Sequence, residues 1–298
     1  MRLRSKVEAG RFVVCAELRP PQSPDGARVR DQLRHFRGVV DAVNVTDNQT
    51  AIVRMSSIAS ARILREEGIE PIVQMTCRDR NRLALQSDLL GAAALGIDNV
   101  LCLTGDHQSI GDQPEARGVF DLDSVQLIDT VATMNAGALL SGREMKKPTE
   151  FFIGAAANPF AEPFEMRLIR LQKKIDAGAR FIQTQPVFSL DIFRRWMERV
   201  VDMGLDARAA ILAGVMPVRS AKLLRWMKER VPGTRIEQTY LDRLDHAADP
   251  EHEGVLMTLE TIRALREIPG VRGIHLMPVL WESIVPTIVS EAGLTVSH

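Results

Sequence analysis

The sequence predicts an α/β chain of the (β/α)8 TIM barrel class with an extra helical connection between strands seven and eight. Three observations carry that expectation: eight short apolar runs, longer helix-like stretches between them, and polar side chains gathered where the runs end. Strands alternating with helices form a parallel sheet, and eight such units suggest closure into a barrel. An open doubly wound sheet is the structural alternative. It is disfavoured because the first run continues into Glu-Leu-Arg-Pro-Pro rather than a glycine-rich dinucleotide turn.

The runs are 12–18 (FVVCAEL), 40–46 (VDAVNVT), 71–77 (PIVQMTC), 99–104 (NVLCLT), 151–157 (FFIGAAA), 180–185 (RFIQTQ), 209–215 (AAILAGV) and 272–277 (RGIHLM). Each is rich in Val, Ile, Leu, Phe or Ala and short enough to be a buried parallel strand. In the first, Glu17 lies two residues after Cys15 and shares its face, which points into the barrel if Cys15 does; Pro20 and Pro21 then stop the strand. Burial there raises the pKa of a carboxyl group and suits it to general acid work near neutrality. A salt bridge with Arg19 or with a neighbouring strand is the plainer alternative.

The second run closes with Thr46-Asp47-Asn48 and the third, which contains Gln74, with Thr76-Cys77-Arg78-Asp79. The fourth enters Leu103-Thr104-Gly105-Asp106, where glycine permits a sharp turn and close approach by a flat ligand. Asp106 then offers a carboxylate to ring N–H groups, or serves an Asx turn or helix cap. The fifth ends in Ala157-Asn158-Pro159. The sixth ends in Gln183-Thr184-Gln185, two amides on one side that suit a heterocycle with mixed donor and acceptor edges.

Helical periodicity runs from Val53 to Glu67, Asn81 to Leu95 and Pro163 to Ala177. Three connections are longer than a tight barrel needs. His107 to Val119 follows strand four on the active-site face, Ser141 to Glu150 lies on the opposite face, and Pro232 to Glu253 carries an extra helix before one near Gly254 to Glu267. Trp196-Met197 and Trp226-Met227 read as core-facing helix positions.

The 298 residues fit one barrel domain spanning 1–298. With 38 basic and 38 acidic side chains, no global field favours nucleic acid or an anionic membrane. No signal peptide or membrane-spanning run is evident, and Cys15, Cys77 and Cys102 form no CxxC pair. These features predict a cytoplasmic chain without disulfides or a metal site. No lysine ends a strand, which disfavours Schiff-base chemistry. His275 reads as a core or pocket-wall histidine.

Several of these segments together resemble the methylenetetrahydrofolate reductase family. They are Ala-Glu-Leu-Arg-Pro-Pro, Val-Asn-Val-Thr, Gln-Met-Thr-Cys, Leu-Thr-Gly-Asp, Lys-Lys-Ile-Asp-Ala-Gly-Ala of 173–179, Gln-Thr-Gln and Ala-Gly-Val-Met-Pro-Val, in the family's order over nearly the whole chain. The resemblance implies a flavoprotein of one-carbon metabolism and methionine biosynthesis that reduces 5,10-methylenetetrahydrofolate to 5-methyltetrahydrofolate. It implies Glu17 as the general acid, with hydride from flavin N5. Asp106 matches the carboxylate beside flavin and pterin, and Gln185, with Gln183 beside it, the amide that orients the folate. Thr46, Gln74, Thr104, Gly105, Ala157, Asn158 and Lys174 fall at or beside flavin-contact positions.

Family members that hold FAD carry arginine, histidine and tyrosine where this chain has Thr104, Gln74 and Ala157, and Asn-Arg where it has Leu280-Trp281. FMN, or FAD in another pose, follows from those differences. The chain also looks like the branch whose reductase works beside a separate partner. The implied electron donor is therefore NAD(P)H or a reduced partner subunit, and the implied assembly a homo-oligomer or a complex with an electron-transfer subunit. A pterin-binding methyltransferase barrel and a flavin-free reductase of the same fold are the alternatives.

Overall fold

A computed structural model describes residues 2–230 and 234–294. Its centre is a closed barrel of eight parallel strands in sequential order. The strands are β1 (Val13–Leu18), β2 (Ala42–Val45), β3 (Pro71–Thr76), β4 (Asn99–Leu103), β5 (Phe152–Ala157), β6 (Phe181–Pro186), β7 (Ala210–Val215) and β8 (Val271–Leu276). The (β/α)8 expectation therefore holds.

Alternation along each strand divides the apolar side chains between two layers. Val13 and Cys15 of β1, Ala42, Ile72, Leu101, Phe152, Phe181, Ala210 and Leu212 fill the barrel interior. Their outward neighbours pack beneath the helices. Gly154 makes room for this filling, because a Cβ there would lie 2.1 Å from the Phe181 ring. Phe181 stacks on Phe152 with ring centroids 5.1 Å apart.

The surrounding helices are α1 (Leu3–Glu8), α2 (Gly26–Leu33), α3 (Ser57–Glu66), α4 (Arg82–Ala94), α5 (Ser124–Asn135), α6 (Phe164–Asp176), α7 (Leu190–Asp202), α8 (Ala221–Arg230), α9 (Gln238–His246), α10 (Pro250–Arg266) and α11 (Val285–Glu291). The extra helix expected between strands seven and eight is α9. The first two residues of that expected connection, 232 and 233, lie outside the described residues. Among the described residues no helix is long and apolar enough to cross a membrane.

Two features depart from the sequence reading. Its polar start forms α1, whose fully buried Leu3 joins the apolar filling of the barrel. Lys6 of the same helix donates to Asp41 Oδ1 at 2.6 Å with both side chains 6% exposed, while Asp41 Oδ2 accepts from Val14 N–H. Trp226 is the second correction. It is 53% exposed because α8 turns Leu224 and Met227, not Trp226, toward α9. Trp196 and Met197 of α7 are buried as expected.

Truncating one partner of a buried ion pair leaves the other charge uncompensated. Lys6→Ala is expected to lower stability by about 3–5 kcal/mol in urea unfolding; a loss under about 1 kcal/mol would show that Asp41 is solvated or otherwise paired.

Candidate active site

Glu17 reaches the barrel mouth because β1 places Val13 and Cys15 inside and continues the same face upward. Its side chain is 11% exposed. Oε1 accepts from Gln49 Nε2 at 3.2 Å, and Oε2 lies 3.7 Å from His275 Nε2. Burial pushes the carboxyl pKa up to about 7, opposed by the Gln49 and Gln74 amides and by Arg19 at longer range. The plainer alternative of an ion pair with Arg19 is not among the contacts of the described residues. Burial also depresses His275 to about 3, so the imidazole beside Glu17 is neutral.

A polar layer sits above the apolar filling. Glu17 pairs in register with Asn44, and Cys15 with His275. Asn44 Oδ1, Thr46 Oγ1, both polar atoms of the Gln183 amide and both His275 ring nitrogens are buried without hydrogen-bond partners among the described residues. Unpaired buried polar atoms each cost about 1–3 kcal/mol. A bound heterocycle with donor and acceptor edges would remove that cost, and the ring portion of a flavin or a pterin has such edges.

Gln49 is delivered by a short turn, Gln49–Ala51, preceded by Asn48. Asn48, Thr50 and Ala51 all have positive φ, a conformation costly outside glycine and maintained only by surrounding contacts. Those contacts come from the ends of β3 and β4. Asp106 Oδ2 accepts from Thr50 N–H at 3.2 Å. Arg78, 3% exposed, donates to the backbone oxygens of Asp106 at 3.1 Å and Asn48 at 3.2 Å, and its own charge is met by Asp79. Asp47 accepts from Thr76 and from Arg80. The long loop after β4 folds onto this turn, and a Cβ at Gly111 would lie 1.9 Å from Ala51 O.

The residues singled out from the sequence fall into two groups. Glu17, Thr46, Gln74 and Gln183 are buried at the mouth. Asp106 and Gln185 stand exposed on the same face, Gln185 beyond a pairing irregularity between Gln183 and Pro186. Gly105 turns with φ +93°, and a Cβ there would lie 3.1 Å from Thr76 and Arg78.

The second group is engaged within the protein. Thr104 Oγ1 accepts from Ser124 N–H at the start of α5. Asn158 Oδ1 accepts from Phe160 N–H, a local turn. Lys174 donates to Ala156 O at 2.6 Å, its pKa drawn down to about 8 by burial and by Arg170. Ala157 packs outward against the helix layer. Gln49 and Arg78 were not singled out from the sequence as site residues, and His275 was read as wall. A guanidinium two residues past a strand end, flanked by an acid, is the signal that marks Arg78.

Residues 2–293 match the family model described as methylenetetrahydrofolate reductase. Over 281 residues the chain is 27% identical to 5,10-methylenetetrahydrofolate reductase of Pectobacterium carotovorum subsp. carotovorum, covering 89% of this chain and 85% of that protein. The Escherichia coli K12 protein of that name is 24% identical, with 89% and 86% covered. A probable methylenetetrahydrofolate reductase (NADPH) of Caenorhabditis elegans is 26% identical over 81% of this chain, which spans only 35% of that longer protein. Among solved structures, an uncharacterized protein from Clostridium thermocellum that binds two copies of 5-methyl-5,6,7,8-tetrahydrofolic acid superposes with a TM-score of 0.70 at 15% identity, covering 98% of each chain.

Lysine at position 78 would keep the charge but lose the planar fork that reaches two loops. Arg78→Lys is expected to expose the segments 48–54 and 106–112 to limited proteolysis several-fold faster than in the wild type; unchanged cleavage would show that Asp106 and the Gly111 packing hold the turn alone.

Proposed function

The chain belongs to the methylenetetrahydrofolate reductase family, and on that premise we propose that it reduces 5,10-methylenetetrahydrofolate to 5-methyltetrahydrofolate with Glu17 as general acid. The observation that carries this reading is a buried carboxyl group with a pKa of about 7 at the barrel mouth, in a polar layer that also holds the unpartnered Gln183 amide and Asn44 Oδ1. A catalytic acid works best when its pKa lies near the operating pH. Glu17 holds its proton there and delivers it to folate N10, opening the methylene bridge to the N5 iminium, which then accepts hydride.

The Gln183 amide meets the pterin edge, Gln185 on the rim orients the folate, and Asp106 places a negative charge beside the ring. Gln49 keeps one Glu17 oxygen occupied and leaves the other to carry the proton. The unpaired Thr46 hydroxyl fits the edge of an isoalloxazine ring, with Gln74 and Gly105 beside it at the mouth. When bound, a flavin, FMN or FAD, supplies the hydride, drawn in turn from NAD(P)H or a reduced partner subunit. A second reading, direct reduction by a nicotinamide without flavin, is favoured by one observation: Thr104, Asn158 and Lys174 are already committed to internal hydrogen bonds.

Three measurements test these readings. Glu17→Gln is expected to lower folate reduction about a hundred- to ten-thousand-fold while folate affinity changes little; retained turnover would remove Glu17 as the acid. In the wild type, kcat/KM should fall as pH rises through about 7, because the acid form is the active one. The visible spectrum of the purified protein separates the hydride sources. A flavin band that bleaches on reduction supports the first, and a colourless protein that reduces the folate with NAD(P)H supports the second.

A further inference from the structure

His275 is a buried ionisable group that the mechanism above leaves without a task. It lies on β8, 4% exposed, in register with Cys15 of β1 and Gly214 of β7. Its Nε2 faces Glu17 Oε2 at 3.7 Å, and neither ring nitrogen has a hydrogen-bond partner among the described residues. Burying an imidazole without partners costs stability. The other carboxyl oxygen is already held by Gln49. The geometry thus leaves one Glu17 oxygen and one ring nitrogen facing each other across a gap that a shift of under an ångström turns into a hydrogen bond. Catalytic hydrogen bonds are often long before substrate is bound.

We propose that His275 is a positioning residue for Glu17, its neutral imidazole presenting Nε2–H to Oε2 and holding the carboxylate left behind when the proton is transferred. The inference rests on the role given to Glu17 above. One proton moves from the Glu17 carboxyl to the substrate nitrogen, the imidazole keeps its own, and water restores the acid after turnover. A neutral donor suits this task better than a cation. An imidazolium would hold Glu17 ionised and prevent it from acting as an acid, whereas a neutral N–H stabilises the anion only once it forms.

The groups able to perturb the pair are few. Cys15 beside His275 is a thiol whose pKa burial raises further. Arg19, beyond the end of β1, and Glu282, in the short turn after β8, line with Glu17 a small cleft at the barrel mouth. β7 offers only Gly214 at this level, and β6 the neutral Gln183.

The test uses two variants of the full chain. His275→Phe removes the donor and fills the space; His275→Gln keeps an N–H in reach. The first readout, the pH titration of the Glu17 carboxyl carbon by NMR without folate, is independent of turnover. Losing a hydrogen bond to the charged form raises a carboxyl pKa, so the midpoint in His275→Phe is expected to rise by about one unit, with His275→Gln close to wild type. The second readout is the pH profile of folate reduction. Its basic limb should move up with the titration, and kcat should fall more than KM rises.

A folded His275→Phe with an unmoved midpoint, or a glutamine variant indistinguishable from it, overturns the proposal. Should His275→Phe fail to fold, His275→Asn, whose shorter side chain withdraws the donor, carries the same expectation. If the midpoints move as expected but no folate is reduced, the pairing stands and the reductase reading falls.

Discussion

Burial of the Glu17 carboxyl group at the mouth of a closed parallel barrel is the constraint on which the rest of the site depends. A carboxylate at that depth loses hydration, and desolvation is the dominant cause of its raised pKa. The protein offsets the loss only in part: one amide hydrogen bond from Gln49, a second amide nearby in Gln74, and no cation in contact among the described residues. A full ion pair would have held the group ionised and unable to donate a proton. Incomplete compensation is thus what suits it to act as an acid.

That balance in turn depends on backbone far from ideal geometry. Gln49 sits in a turn that holds three non-glycine positive-φ positions around it, Asn48, Thr50 and Ala51. Arg78 and Asp106 tie this turn to the ends of β3 and β4, so the strain is borne by a network of charge-assisted hydrogen bonds. At the other end of the barrel, α1 closes the interior with Leu3 and the Lys6–Asp41 pair. The arrangement divides stability from chemistry between the two faces, as barrels of this class do.

Much of this was legible in the sequence because short apolar runs separated by helical stretches are a strong signal. They located all eight strands, and period-two alternation placed Glu17 on the face of Cys15. What it could not convey was competition for hydrogen bonds. Thr104, Asn158 and Lys174 have the same side-chain chemistry whether they face a ligand or a neighbouring backbone group, and here they face the backbone. Gln49 and His275 come from segments 32 and 258 residues away from Glu17, so closure of the barrel alone brings them to it. The helix at the start of the chain escaped notice because six residues rich in charge show no clear period, and Trp226 because helix periodicity alone does not say how wide the buried stripe is.

The measurement that bears most directly on this account is a crystal structure of the protein with 5-methyltetrahydrofolate. The account predicts the pterin edge on the Gln183 amide and folate N10 within about 2.6–3.2 Å of the Glu17 carboxyl group. A folate bound elsewhere, with Glu17 still paired only to Gln49, would contradict it.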